Sequence, residues 1–126
     1  MSLRSPLRRA KGLGSAKTGT STWVAERVTA IALIPLVVWF LVGLIVHAGA
    51  DFNEARAWIA SPVNAVLLVL LLGTMFHHAA LGMQVIYEDY IHSEGLKMVS
   101  IYLTKFVAYL LAAASIFAVL KIAFGG

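Results

Sequence analysis

The sequence contains no cysteine. Disulfides, cysteine-ligated iron–sulfur clusters and covalently attached c-type haem are therefore excluded. Charge is also scarce: Asp, Glu, Lys and Arg together make up 13% of the 126 residues. Acids are the scarcer sign, six against ten basic residues, and residues 1–20 contain none. Proline occurs three times, and only Pro35 falls inside a long apolar run. There are no tandem repeats and no low-complexity tracts, which excludes solenoid and array architectures. The length allows one domain and leaves no room for a soluble catalytic domain beside the apolar segments.

What is present is apolar. Hydrophobic residues make up 60% of the chain, and the mean hydropathy of +0.86 is far above that of a typical soluble domain. Three runs, 28–47, 63–86 and 98–122, each reach the ~20 residues needed to cross ~30 Å of hydrocarbon. The predicted fold is an all-α membrane protein with three transmembrane helices and a basic N-terminal arm. The arm is residues 1–22 and the anchor domain residues 23–126. Gly12 to Thr20 reads as irregular and surface-lying, with a composition that a transit peptide shares. Ser21 or Thr22 is the expected cap of the first helix. Pro35 predicts a mild kink, not a break. Residues 49–54 read as a loop, and 55–59 as a short interfacial helix with Trp58 at headgroup depth. Pro62 suits the first turn of the second span. Residues 88–97 read as a polar connection turning at Gly95. Lys105 and Lys121 are expected to snorkel from the third span towards opposite faces.

Arg4, Arg8, Arg9, Lys11, Lys17 and Arg27 all precede or open the first run. Beside a membrane span such a cluster sets topology, so no nucleic acid partner is expected. The positive-inside rule then puts the N-terminus in the cytoplasm of a bacterial inner membrane, or in the matrix of a mitochondrion, and the C-terminus outside, in the periplasm in the bacterial case. Lys121 alone runs counter to this. The late, long first run, with no small-residue cleavage site behind it, does not fit a cleavable signal peptide.

The chemistry concentrates in the second run, from His77-His78 to Asp89-Tyr90. Ionisable side chains in a membrane segment are costly and mark functional sites by default. Eleven residues at 100° each bring Asp89 to within about 20° of the phase of His78, with Gly82 and Val85 on the same stripe. His77 points about 100° away. Gly82, one turn from His78, leaves room for a flat macrocycle or a close neighbouring helix. His78 is about 12 Å from the inner end of its run, and Tyr90 up to about 18 Å further along if the helix continues. Asp89 and Tyr90 then form an acid and a hydrogen-bond donor at the inner water boundary, a setting that suits a quinone head group. Six-coordinate haem needs two axial ligands. His47 lies about 16 Å from His78 in depth, too far to share its iron, and His92 lies outside the run. One chain thus supplies one ligand at most.

These residues resemble a known family. His78-Ala79-x-x-Gly82-Met83 followed by Asp89-Tyr90, with Arg27-x-Thr29-Ala30 opening the first run, is similar to the hydrophobic membrane anchor of succinate dehydrogenase, the D-type subunit of respiratory complex II. The segment Gly14 to Gly19 resembles the alphaproteobacterial form. The resemblance covers nearly the whole chain. It implies that His78 is an axial ligand of haem b, with the opposite ligand from a companion C-type anchor. It implies that Tyr90 hydrogen-bonds a ubiquinone carbonyl, that Asp89 is the neighbouring acid of that site, and that Arg27 lies near the haem propionates. It further implies that the chain tethers a flavoprotein and an iron–sulfur subunit to the lipid bilayer and does no succinate chemistry itself. The doublet His77-His78 departs from a single histidine at the ligand position, and spacing favours His78.

Other readings compete. A histidine in a span can simply hydrogen-bond a neighbouring helix. Tyr90, like Tyr87, can be an interfacial belt residue, and Glu88 and Asp89 an ordinary solvated helix end. Arg27 can be a plain topology charge. His47 and His77 read as packing residues, and Met75 and Met83 as core filling. At the level of function the alternatives are a quinol:fumarate reductase anchor and a cofactor-free structural tether. A small transporter or proton channel would need polar residues along several spans, and the first and third have almost none.

Overall fold

A computed structural model describes residues 13–125, with side chains described from Thr20 onward. It consists of four helices and, among the described residues, no strands: α1 Leu13–Val46, α2 Phe52–Ala60, α3 Pro62–Tyr90 and α4 Glu94–Ala123. Three of these, Thr20–Val46 within α1, all of α3 and all of α4, are long and apolar enough to cross a membrane. The chain is therefore a three-span, all-α, multi-pass membrane protein. Residues 1–12 of the expected arm lie outside the described residues.

The helices are longer than hydropathy alone predicts. α1 begins at Leu13, not at a cap on Ser21 or Thr22. Gly14 and Gly19 make this stretch look irregular by propensity. Once the apolar span is helical, however, each further residue joins a formed helix, so the costly nucleation step is already made. α1 continues through Pro35. α2 begins at Phe52, three residues earlier than expected, because the Asp51 carboxylate accepts the backbone N–H of Glu54 at 2.8 Å. This is an N-cap, with Glu54 at the acid-favouring third position. α4 likewise starts at Glu94, where the Ser93 hydroxyl accepts the Leu96 N–H. Gly95 is thus inside the first turn of a helix and not a turn point. α3 runs unbroken to Tyr90, so Asp89 and Tyr90 are its last residues and not part of a loop.

α3 is the middle helix. It packs against α1 on one side and α4 on the other, and among the described residues the backbones of α1 and α4 do not approach closely. The small core belongs to the central pair: Ala65, Leu68, Leu71, Ala80 and Leu81 of α3, with Ile101, Ala108 and Ala112 of α4. Half of these are alanines. Small side chains let membrane helices approach closely, which matters where hydrophobicity gives no preference for protein over lipid. Tyr87 Oη and Thr104 Oγ1, 2.8 Å apart, tie the same two helices near their polar ends. Elsewhere the large apolar side chains face out, among them Ile31, Ile34, Val38 and Ile45 on α1. In water such a surface would aggregate; in hydrocarbon it is the surface a helical span needs. Met75 and Met83 are also exposed, which corrects their reading as core filling. They lie on outward faces of α3, where a flexible thioether meets lipid or another chain.

At the far end of α1 the short helix α2 is held by aromatic packing. Trp58 stacks on Trp39 with centroids 5.5 Å apart and planes at 17°, and His47 tilts against it at the same distance. The absent side chain of Gly43 makes this possible, since a Cβ there would stand 2.7 Å from Trp58 Cζ2. Gly43→Ala should therefore push Trp58 off Trp39 despite the better helix propensity of alanine. The expected cost is about 1–3 kcal/mol from overpacking against a gain of about 1 kcal/mol. A shifted tryptophan emission and a lower melting temperature of the detergent-solubilised protein would register it. Unchanged emission would mean that Trp58 does not rest on Gly43.

Candidate functional site

Helical phase divides the histidine doublet between two helix contacts. His77 faces α4: its Nδ1 lies 3.0 Å from Tyr109 Oη, with the two rings near-parallel at 27° and 6.1 Å apart. His78 faces α1, where its Nδ1 lies 2.8 Å from Thr29 Oγ1. Both rings are half-buried. Because Nδ1 of His78 is engaged, Nε2, on the opposite edge of the ring, is the nitrogen left over. One turn further along, a Cβ at Gly82 would meet nothing within 4 Å. Of the two expectations for Gly82, close packing against a helix of this same chain is therefore not realised, and open space beside the His78 stripe is.

The contact with Thr29 also sets depth. Thr29 lies about nine residues, or roughly 13 Å, from the Thr20 end of the Thr20–Val46 span, and His47 lies eighteen residues beyond it, or about 27 Å. His78 is at the level of Thr29, so its separation in depth from His47 is larger than the ~16 Å expected from span bounds. His47 donates from Nδ1 to the Gly43 carbonyl at 2.9 Å. Among the described residues no three His, Cys, Asp or Glu side chains gather where they could hold a metal ion.

Arg27 is two residues from Thr29, about 200° around the helix. It is exposed, and its guanidinium lies over the Trp23 ring, 5.3 Å from the centroid. The structure thus sets Arg27 near the level of His78 but stacked on the other side of α1. Asp89 and Tyr90 are both exposed at the end of α3, Tyr90 at 77%. With α3 helical throughout, Asp89 keeps the phase of His78, and Tyr90 stands about 18 Å along the axis from it. Gln84 donates to Glu88 at 3.0 Å on the same polar end.

The donor set fits a single axial imidazole for a macrocycle. It offers a histidine whose second ring nitrogen is left over and open space one turn away, while His47 lies at another depth.

Comparison with known proteins gives the family. The model described as succinate dehydrogenase/fumarate reductase transmembrane subunit matches residues 1–118. The chain belongs to this family. Within the succinate dehydrogenase/fumarate reductase transmembrane family, it is similar to the succinate dehydrogenase hydrophobic membrane anchor subunit of Rickettsia bellii, with 35% identity over 116 residues, 92% of this chain and 93% of that one. It is similar to the protein of the same name from Rickettsia conorii, 37% identical over 90 residues, 71% of each chain. A third, from Paracoccus denitrificans, is 26% identical over 120 residues, 95% of this chain and 92% of that one. For this family member, sequence reasoning missed three side-chain pairs: Thr29 with His78, Tyr109 with His77 and Thr104 with Tyr87. Only the first left a signal, since Thr29 stands in the Arg27-x-Thr29-Ala30 motif.

Proposed function

We propose that this chain, a membrane anchor subunit of succinate dehydrogenase, gives haem b one axial imidazole from His78 and lines part of a ubiquinone site with Asp89 and Tyr90. The observation that carries the reading is the His78 ring, with Nδ1 bonded to Thr29 and Nε2 left over, and with open space at Gly82 one turn along the same stripe. When bound, haem b supplies a one-electron redox centre within the membrane. The chain's own residues hold and shape that place. His78 ligates through Nε2, and the missing side chain of Gly82 leaves room on the same stripe. Arg27 pairs with a propionate by leaving the face of Trp23, exchanging a cation–π contact worth about 0.5–1 kcal/mol at an exposed site for a charge-assisted bond. The second axial ligand comes from a C-type anchor, since His47 is at the wrong depth.

At the inner end of α3, Tyr90 donates its phenolic hydrogen to a quinone carbonyl. Asp89 puts a carboxyl group beside it that can relay a proton to the reduced oxygen. The exposed position of both side chains supports this role, because a partner surface must complete the site. The same end faces the flavoprotein and iron–sulfur subunits, in the cytoplasm under the positive-inside orientation in a bacterial inner membrane.

Purification through a tag on this chain tests the reading. A flavoprotein, an iron–sulfur protein and a second small histidine-bearing membrane protein should come with it, and the reduced-minus-oxidised spectrum should show b-type haem. A chain that purifies without them, or a complex with no haem, overturns it.

A further inference from the structure

Thr29 has a hydroxyl with more neighbours than protons. Its Oγ1 lies 2.8 Å from the Ala25 carbonyl, 3.1 Å from the Glu26 carbonyl and 2.8 Å from His78 Nδ1. A hydroxyl donates one proton and accepts through lone pairs, whereas carbonyl oxygens only accept. Threonine in a membrane helix commonly gives its proton to the carbonyl one turn back, and the two carbonyls here can share it. His78 must then be the donor in the third contact, from Nδ1–H to Oγ1. The reverse assignment, with the hydroxyl donating to an unprotonated Nδ1, would leave two carbonyl oxygens against oxygen lone pairs at 2.8 and 3.1 Å.

We propose that Thr29 is a positioning residue for His78, fixing the Nδ1–H tautomer and the plane of the ring so that the Nε2 lone pair faces the iron. The inference rests on reading His78 as an axial ligand and adds what holds that ligand in place. A metal-ligating histidine characteristically donates its other N–H to an oxygen, which sets ring orientation and raises ligand basicity. Here the accepting oxygen is itself polarised, because its proton is already given to the backbone of α1. The ligand is thus tied to a second helix through a side chain locked by its own main chain. Neither His77 nor His47 has such an arrangement: one pairs with a tyrosine hydroxyl and the other with a carbonyl of its own helix.

The test uses the whole purified complex and reads the haem directly. Thr29→Val keeps the shape and removes the hydroxyl. Flavin and iron–sulfur content should be unchanged. Haem retention on dilution should weaken on the order of tenfold, the low end for loss of such an outer partner. The low-spin electron paramagnetic resonance signal should shift as the ring turns, and the haem midpoint potential should rise as the imidazole becomes a poorer donor. Thr29→Ser should restore all three. If valine does not assemble, Thr29→Ala against Thr29→Ser gives the same comparison. Haem content, resonance signal and potential all equal to wild type in the valine or alanine variant would overturn the role of Thr29. Survival of the haem signal in His78→Ala would instead overturn the ligand assignment beneath it, so the two failures are distinct.

Discussion

Replacing His78 with alanine is expected to abolish the b-type haem signal of the purified complex, while His77→Ala leaves it in place. The two substitutions remove the same chemical group from adjacent positions, so composition and hydropathy are matched. They differ in what the ring touches. His77 links α3 to α4 through Tyr109, a polar contact between membrane helices, and such contacts average about 0.6 kcal/mol. His77→Ala should therefore lower thermal stability slightly and leave the spectrum alone. His78 has no such contact with α4. Its ring bridges to α1 through Thr29 and shares its stripe with Gly82, whereas His77 points about 100° away, towards α4. Were His78 to hold the haem, its removal would take this chain's imidazole from the iron. The reduced-minus-oxidised spectrum, normalised to flavin in the same preparation, is the measurement. An unchanged spectrum in His78→Ala would sink the ligand assignment, and loss of signal in His77→Ala alone would transfer it to the neighbouring residue.

The architecture was legible because the membrane makes strong demands on sequence. Each span needs about 20 apolar residues, and in this chain almost nothing else is apolar at that length. Helix ends were less legible, because they are decided by single side chains and not by averages. Asp51 and Ser93 each satisfy an N–H three residues on, and that starts α2 and α4 earlier than hydropathy does. The phase of the second span was readable because 3.6 residues per turn is a fixed property of the helix. Hence His78, Gly82 and Asp89 could be put on one stripe before any coordinates. The neighbour across that stripe could not, since no periodicity in α3 tells which residue of α1 it meets. Thr29 had only its place in a short motif to mark it. Arg27 shows the reverse case: the motif places it near the level of His78, yet its guanidinium stacks on Trp23, on the same helix.

Tyr90→Phe is expected to slow succinate–quinone reduction about tenfold, with succinate oxidation by a soluble dye acceptor unaffected. Phenylalanine keeps the ring, so any role as an aromatic belt residue survives and only the hydroxyl is lost. Tyr90 is largely exposed and ends α3, so its removal leaves no buried group unsatisfied and should cost little stability. The loss is then one hydrogen bond to the quinone carbonyl. A bond of this kind is worth up to about 1.5 kcal/mol, and about 1.4 kcal/mol is a factor of ten in rate. If the bond tightens as negative charge builds on that oxygen, kcat falls along with kcat/KM. If it serves binding alone, only KM rises. Asp89→Asn should lower kcat with little change in KM, because the amide keeps a polar end to α3 but cannot relay a proton. The dye assay separates these effects from damage to the flavoprotein or iron–sulfur subunit, which it reads without the quinone site. A cofactor-free tether predicts equal rates for wild type and Tyr90→Phe in both assays. That result, obtained with intact flavin and iron–sulfur content, would leave Tyr90 as an interfacial residue and move the quinone site off this chain's helix α3.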